Sequence, residues 1–366
     1  MRLADEVRRW FLVFGLVVAA CGADSPSAES DATEPVPIEA VPTERSDSPA
    51  PASIPPDVDT STFSVDPSEI LFDTFDGGSV PLSESDEQLR ARLLDRIPPI
   101  DDPIYTDAAD GDAWLEDDDT VLGYVAGGIA YAYPTKILNF HEIVNTEIDG
   151  RRVLVSYCPL CRSGIVYDRE LPDGRLLTFS NTSALVEADM VMVDRETGSY
   201  WWQVLGEGIV GPLTGTALTP LASEMSTWGG WLERHPDTVV LSRDTGFERR
   251  YEVDRFSSYA DRVAVGEVPF HPDEIDLNDR LLPSEPVVIV DLAVLGGDGV
   301  VAYPTELFDG PVEDRVDEIE LRITPHELGA TVTGPDGEAV PTRSSFWFAA
   351  VGAFPEIEVR TGTAAS

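Results

Sequence analysis

The chain has 366 residues, 42% hydrophobic and 25% charged, which is enough apolar material for one large or two ordinary globular cores. Its 25 Lys+Arg against 67 Asp+Glu give a formal net charge of −42, with Lys136 as the sole lysine. That balance excludes nucleic-acid binding by phosphate neutralisation. It fits either a saline setting, where counter-ions screen self-repulsion, or an acidic surface that serves solubility alone.

Arg2, Arg8 and Arg9 precede an apolar run at residues 10–20 that is too short to span a bilayer and reads as a secretory h-region. It ends in Val18-Ala19-Ala20-Cys21-Gly22, which resembles the bacterial lipoprotein signal, where cleavage before the cysteine follows attachment of diacylglycerol to its thiol. Residues 1–20 are therefore expected to be a lipoprotein signal peptide. Acylated Cys21 would tie the chain to membrane lipid on the extracytoplasmic side, at the cell surface or in a periplasm. Residues 21–62, built of Pro, Ser, Ala, Thr and acids, carry almost nothing to bury and read as a disordered acidic tether.

The folded part begins near residue 63. Residues 83–96 (SESDEQLRARLLDR) place Leu89, Leu93 and Leu94 at helical spacing behind a capping-type start. Beyond residue 97 short β-like runs follow one another between Gly, Pro and Asp-Gly turns: VLGYV, IAYAYP, RRVLVSY, GIVYDR, MVMVDR, YWWQVLG. Helical breaks are expected at 134–144 and 227–235. The predicted class is α+β, mainly antiparallel β with a few short helices. Residues 121–134 are echoed by 290–304, including Ala-Tyr-Pro-Thr at 132–135 and 302–305, so an internal duplication of a β-rich unit is a candidate. The expected units are 63–253 and 283–366, with the polar stretch 254–282 as their boundary.

The chemistry-bearing residues concentrate at 137–168 (ILNFHEIVNTEIDGRRVLVSYCPLCRSGIVYD). The stretches Ala132-Tyr133-Pro134, His141-Glu142-Ile143-Val144-Asn145, Tyr157-Cys158-Pro159-Leu160-Cys161, Asp194-Arg195-Glu196-Thr197, Trp202-Gln203, Thr227-Trp228 and Phe346-Trp347-Phe348-Ala349 are similar to the uncharacterised bacterial family called domain of unknown function 3179. The resemblance runs from about residue 97 onward and implies an architecture and a focus, but no reaction. Two departures matter. Where the family tends to carry Gly-Leu-Leu-Tyr-Asn-Ser-Asp, this chain has Ser183-Ala184-Leu185-Val186-Glu187-Ala188-Asp189, and Ala350-Val351 replaces a usual Trp-Tyr.

Cys158 and Cys161 stand at a spacing that lets both sulfurs face one side of a turn, and three states suit them. A disulfide is the default outside the cytoplasm, although closing so short a loop removes only roughly 2 kcal/mol of unfolded-state entropy. A redox couple of the thioredoxin kind needs a helix N-terminus at the first cysteine, whereas the sequence after Cys161 reads as strand, so this state ranks last. A soft-metal site for Cu or Zn would add His141 to the two thiolates, with Glu142, Met190 or Met192 as further ligands. Asp194, Arg195, Trp201 and Trp202 form a polar, aromatic turn that either faces a ligand or plugs the core. The leading expectation is an anchored extracytoplasmic binding protein with a Cys₂His or disulfide-clipped site. An envelope enzyme using thiol-redox or metal chemistry at the same residues, and a structural surface adaptor, are the alternatives.

Overall fold

A computed structural model of the chain describes residues 58–256, 258–268 and 278–361. The expected signal peptide, Cys21 and nearly all of the tether lie outside the described residues. In chain order, β1 (Leu71–Asp73) and β2 (Ser79–Pro81) pair as a hairpin, and α1 (Glu87–Leu93) follows, its first turn capped by Asp86, which accepts from Leu89 N. β3 (Tyr105–Asp107) and α2 (Ala108–Asp112) lead to the hairpin β4 (Thr120–Ala126) and β5 (Ile129–Pro134). Its tip is Gly127-Gly128, both at positive φ, as the tight right-twisted turn demands. After α3 (Thr135–His141) come the meanders β6 (Ile143–Ile148), β7 (Arg151–Cys158), β8 (Ser163–Asp168) and β9 (Phe179–Val186), β10 (Asp189–Asp194), β11 (Tyr200–Trp202), β12 (Glu207–Val210). β13 (Thr219–Leu221), β14 (Ser223–Thr227), α4 (Trp228–Arg234) and β15 (Val239–Leu241) follow, then α5 (Tyr259–Ala264), β16 (Pro286–Asp291) and β17 (Val300–Pro304). The meander β18 (Val312–Val316), β19 (Ile319–His326), β20 (Gly329–Thr333) precedes β21 (Arg343–Phe346), α6 (Trp347–Ala353) and β22 (Glu358–Val359).

These strands form four sheets, ordered β12-β11-β10-β9-β1-β2, β22-β17-β16-β21-β8-β7-β6 with β13 added on β8, β14-β4-β5-β15-β3, and β18-β19-β20. Mainly antiparallel β with short helices is the architecture, as the run lengths and turn residues required.

The duplication is realised in the strand order. β14-β4-β5-β15 and β21-β16-β17-β22 are the same four-stranded unit, each with two antiparallel pairings and a final parallel one. The registers coincide: Val121 faces Pro134 and Ser226, and Val287 faces Pro304 and Ser345. The parallel pairs Val240–Ala132 and Val359–Ala302 agree with them. The echo extends to the helices, for Trp228 and Trp347 each open one, and His235-Pro236 and Phe354-Pro355 follow them.

The two copies are not separate bodies. β21 of the second pairs with β8 of the first through Ser344 and Gly164, so a single eight-stranded sheet spans both. Residues 254–282 correct the expectation of a boundary too, since α5 lies there and buries Tyr259 and Val263 in the main core. That core combines residues of β8 to β11 with α6, and its fully buried Trp201, Trp347, Phe346 and Phe348 each contribute roughly 1.5–3 kcal/mol by leaving water.

Candidate metal centre

Cys158 ends β7 and pairs with Ser163 at the head of β8, so Cys161 lies inside the connecting turn. Arg162 closes that turn in the left-handed region, at φ 46°. Asp189 opens β10 after a turn that holds Glu187 and Ala188 at positive φ. Both cysteines are free and buried. The Cys161 thiol donates to Asp189 Oδ1 at 2.8 Å, and the ligand atoms of Cys158, Cys161 and Asp189 all lie within 4.8 Å of one another. Tetrahedral ligands about 2.3 Å from a zinc ion would stand ~3.7 Å apart, so the cluster is near coordination size. A metal ion could be held here.

A second ring of polar groups fixes this triad. Asp189 Oδ2 accepts from Val204 N at 2.8 Å, and Ser163 Oγ donates to Gln203 Oε1 at 2.5 Å while lying 3.2 Å from Asp189 Oδ1. The Gln203 amide nitrogen donates in turn to Ser156 Oγ at 3.0 Å. Burial sets the protonation. It pushes both thiols up, Cys161 the further, and the Asp189 carboxyl up to about 6 against the hydrogen bonds it accepts. Protonated thiols are weak nucleophiles, and β8 rather than a helix follows the turn, so the helix N-terminus that lowers the first thiol of a thioredoxin-like site does not stand at Cys158. A cation that displaced the protons would reverse that balance.

His141, predicted to fold over the sulfurs, is not in this cluster. Its Nδ1 donates to the Pro98 carbonyl at 2.7 Å, which leaves Nε2 to accept from the Tyr251 hydroxyl at 2.6 Å. Burial lowers its pKa to about 4. Glu142, the next residue, caps α3 in the left-handed conformation (φ 58°). Glu142 instead turns toward β9, where its Oε2 accepts from Asn181 Nδ2 at 2.6 Å, and burial raises its carboxyl to about 8. Met190 Sδ meets the same Asn181 nitrogen at 3.3 Å, whereas Met192 is simply buried core. Glu142 and Met190 thus neighbour one another through Asn181, and Asp189 contributes to the rise at Glu142.

Asp194, Arg195 and Trp201 are engaged within the fold, whereas the buried Trp202 Nε1 has no partner among the described residues. Asp194 accepts from Thr197 N, Thr197 Oγ1 and Trp201 Nε1, and Arg195 grips Asp101 and Ser180. All four side chains are buried, and the tryptophans belong to the main core.

The cluster residue that sequence reasoning missed is Asp189. A signal existed, because an acid directly heads the apolar run MVMV and, like Leu185, it agrees with the family pattern in a segment that departs from it at its other positions. Among the described residues, no helix is long and apolar enough to cross a membrane.

Compared with known proteins, the chain matches no curated protein and no solved structure. The profile of a family described as "Protein of unknown function (DUF3179)" matches residues 94–336, about two thirds of the chain, which takes in the whole triad and, of the second repeat, β16 and β17 but not β21, α6 or β22. The chain belongs to the DUF3179 family.

Proposed function

We propose that this protein is a lipid-anchored, extracytoplasmic metal-binding protein whose Cys158, Cys161 and Asp189 hold a zinc ion. The observation that carries the reading is the buried convergence of two thiols and a carboxylate within 4.8 Å. As a device for stability alone it is unfavourable, because two thiols that must keep their protons share a dry site with a buried carboxyl. Two thiolates and a carboxylate carry three negative charges, which a divalent ion offsets better than a monovalent one. The carboxylate also favours zinc over Cu(I), which prefers sulfur and nitrogen donors. Three protein ligands leave a coordination position open, the arrangement found where zinc meets an exogenous ligand. Tyr259 supports an additional occupant: its buried hydroxyl has no partner among the described residues, and the thiols add to the burial that pushes its pKa up.

Elemental analysis of untagged protein tests the assignment. About one zinc per chain is expected, falling to background in Cys158→Ser and Asp189→Asn and persisting in His141→Gln. A parent without metal and without free thiols would sink it in favour of a disulfide clip. Location rests on the Val18-Ala19-Ala20-Cys21 sequence, and it predicts that Cys21→Ser moves the protein from the membrane to the soluble fraction.

A further inference from the structure

The polar chain beside the metal centre has a direction, and its far end sets it. Ser156, Ser163, Gln203 and Asp189 are all fully buried, on strands and turns whose Leu154, Ile165 and Val204 belong to the main apolar core. Such groups are unfavourable there unless their hydrogens and lone pairs are met. The Ser156 hydroxyl donates to the Ile165 carbonyl at 3.0 Å, and a carbonyl only accepts. Ser156 Oγ therefore accepts from Gln203 Nε2, 3.0 Å away, which makes Oε1 the accepting end of that amide. The single hydrogen of the Ser163 hydroxyl then goes to Gln203 Oε1 at 2.5 Å, the shortest contact that hydroxyl makes.

Lone pairs are what remains. With its hydrogen on Gln203, the Ser163 oxygen meets Cys161 Sγ at 3.1 Å and Asp189 Oδ1 at 3.2 Å with electron pairs alone. Those two atoms stand 2.8 Å apart, so the three form one triangular face of the cluster. Ser163 is also the residue opposite Cys158 across β7 and β8, so the two side chains leave the sheet on the same side with Cβ atoms about 5 Å apart. Oxygen and sulfur ligands of a tetrahedral zinc ion stand about 3.4–3.6 Å apart, a few tenths of an ångström beyond the two Ser163 distances. Glu142 and Met190 are engaged elsewhere, for Oε2 of the one and Sδ of the other both meet Asn181 Nδ2.

We infer that Ser163 Oγ is a fourth metal ligand, an uncharged oxygen donor that completes a Cys₂AspSer site while Gln203 holds its hydrogen. The inference rests on the zinc reading of the triad and specifies it further. Charge favours the assignment: two thiolates and a carboxylate already exceed the charge of a divalent ion by one, and a fourth anion would add to that excess in a dry core, whereas an alcohol adds nothing. Gln203 suits its part, because a neutral amide oxygen accepts the hydrogen bond without removing the proton. The alcohol is the weakest donor of the four, so it holds the position left by the three charged ligands and an exogenous ligand reaches the ion by displacing it.

The test is metal substitution in the full chain. Metal-depleted protein is titrated with cobalt(II), whose thiolate bonds absorb in the near ultraviolet where zinc is silent, and zinc affinity is read by competition with a chromophoric chelator. Ser163→Cys, nearly isosteric, should bind cobalt with that absorption raised by about one half, as two Co–S bonds become three. Ser163→Ala should keep the two-thiolate absorption and bind zinc at least ~10-fold more weakly. Parent-like melting of the metal-depleted variants checks their fold, and Ser163→Cys serves alone if the alanine loosens the core. A parent that takes up neither ion overturns the zinc reading and the fourth ligand with it. A parent that binds, beside a Ser163→Cys variant with unchanged absorption or a Ser163→Ala variant with unchanged zinc affinity, overturns the fourth ligand alone and leaves the triad standing.

Discussion

Trp231 lies so close over Gly123 that a Cβ added to the glycine would stand 2.2 Å from the indole Cζ3. With Val121 equivalent to Val287 and the helix opened by Trp228 equivalent to the one opened by Trp347, the other copy carries Ile289 and Ala350 at these two positions, a large strand residue with a small helix residue.

Gly123→Ala is accordingly expected to destabilise the protein by overpacking, by about 1–3 kcal/mol or more. Trp231→Ala alone should cost about 3–5 kcal/mol through the cavity it leaves. The double substitution should cost measurably less than the sum, because the alanine at 123 no longer meets a ring. Urea denaturation of the three variants reads the coupling, and strict additivity would show that the contact is not felt.

Metal affinity should fall steeply with acidity. Cys158 and Cys161 are pushed above the ordinary thiol range and Asp189 up to about 6, so binding zinc at neutral pH must release protons from the thiols, and below pH 6 from the carboxyl as well. Competition with a chromophoric chelator between pH 8 and 5.5 should show the apparent affinity dropping more than tenfold per pH unit. Asp189→Asn should weaken binding by at least about 100-fold at any pH in that range. A pH-independent affinity would mean that the thiols are not the ligands.

His141 and Glu142, adjacent in sequence, should tilt the stability curve in opposite directions. Burial depresses the His141 pKa from 6.5 to about 4, so its contribution is complete above pH 6.5 and is lost as the pH falls toward 4, by up to about 3 kcal/mol. Glu142 is raised from 4.5 to about 8, so its contribution is complete below pH 4.5 and is lost as the pH rises through 8. In metal-free protein, His141→Gln should flatten the acid side of a melting-temperature profile and Glu142→Gln the alkaline side. Identical profiles for both variants and the parent would contradict the burial assigned to these groups.

Salt should stabilise the fold. A net charge of −42 repels itself at low ionic strength, and the Debye length shrinks from about 30 Å at 0.01 M to about 3 Å at 1 M. The melting temperature is expected to rise between 0.01 and about 1 M NaCl, with most of the gain at the low end. A flat or falling curve would show that the acids are too dispersed to matter.

Local signals in the chain located most elements, for local reasons. Asp86 caps α1, the Gly127-Gly128 turn joins β4 to β5, and Thr227 caps α4 by accepting from Gly230 N. Ala-Tyr-Pro-Thr revealed the repeat because proline and a buried tyrosine recur at fixed register positions. The Trp228 and Trp347 helices were harder to match, since only the tryptophan and the later proline survive in both.

What the amino-acid sequence determined by itself was the β-rich class, the duplicated framework, and two cysteines held at one turn, because capping, alternation and turn chemistry act over a few neighbouring residues. What only the tertiary structure decided was the company those sulfurs keep. His141 is held by the Pro98 carbonyl and the Tyr251 hydroxyl, 110 residues on, and the packing of β9 and β10 against β7 and β8 brings Asp189, 28 residues beyond Cys161, to within 2.8 Å of its thiol. No periodicity records such a meeting, since it depends on how two sheets are stacked.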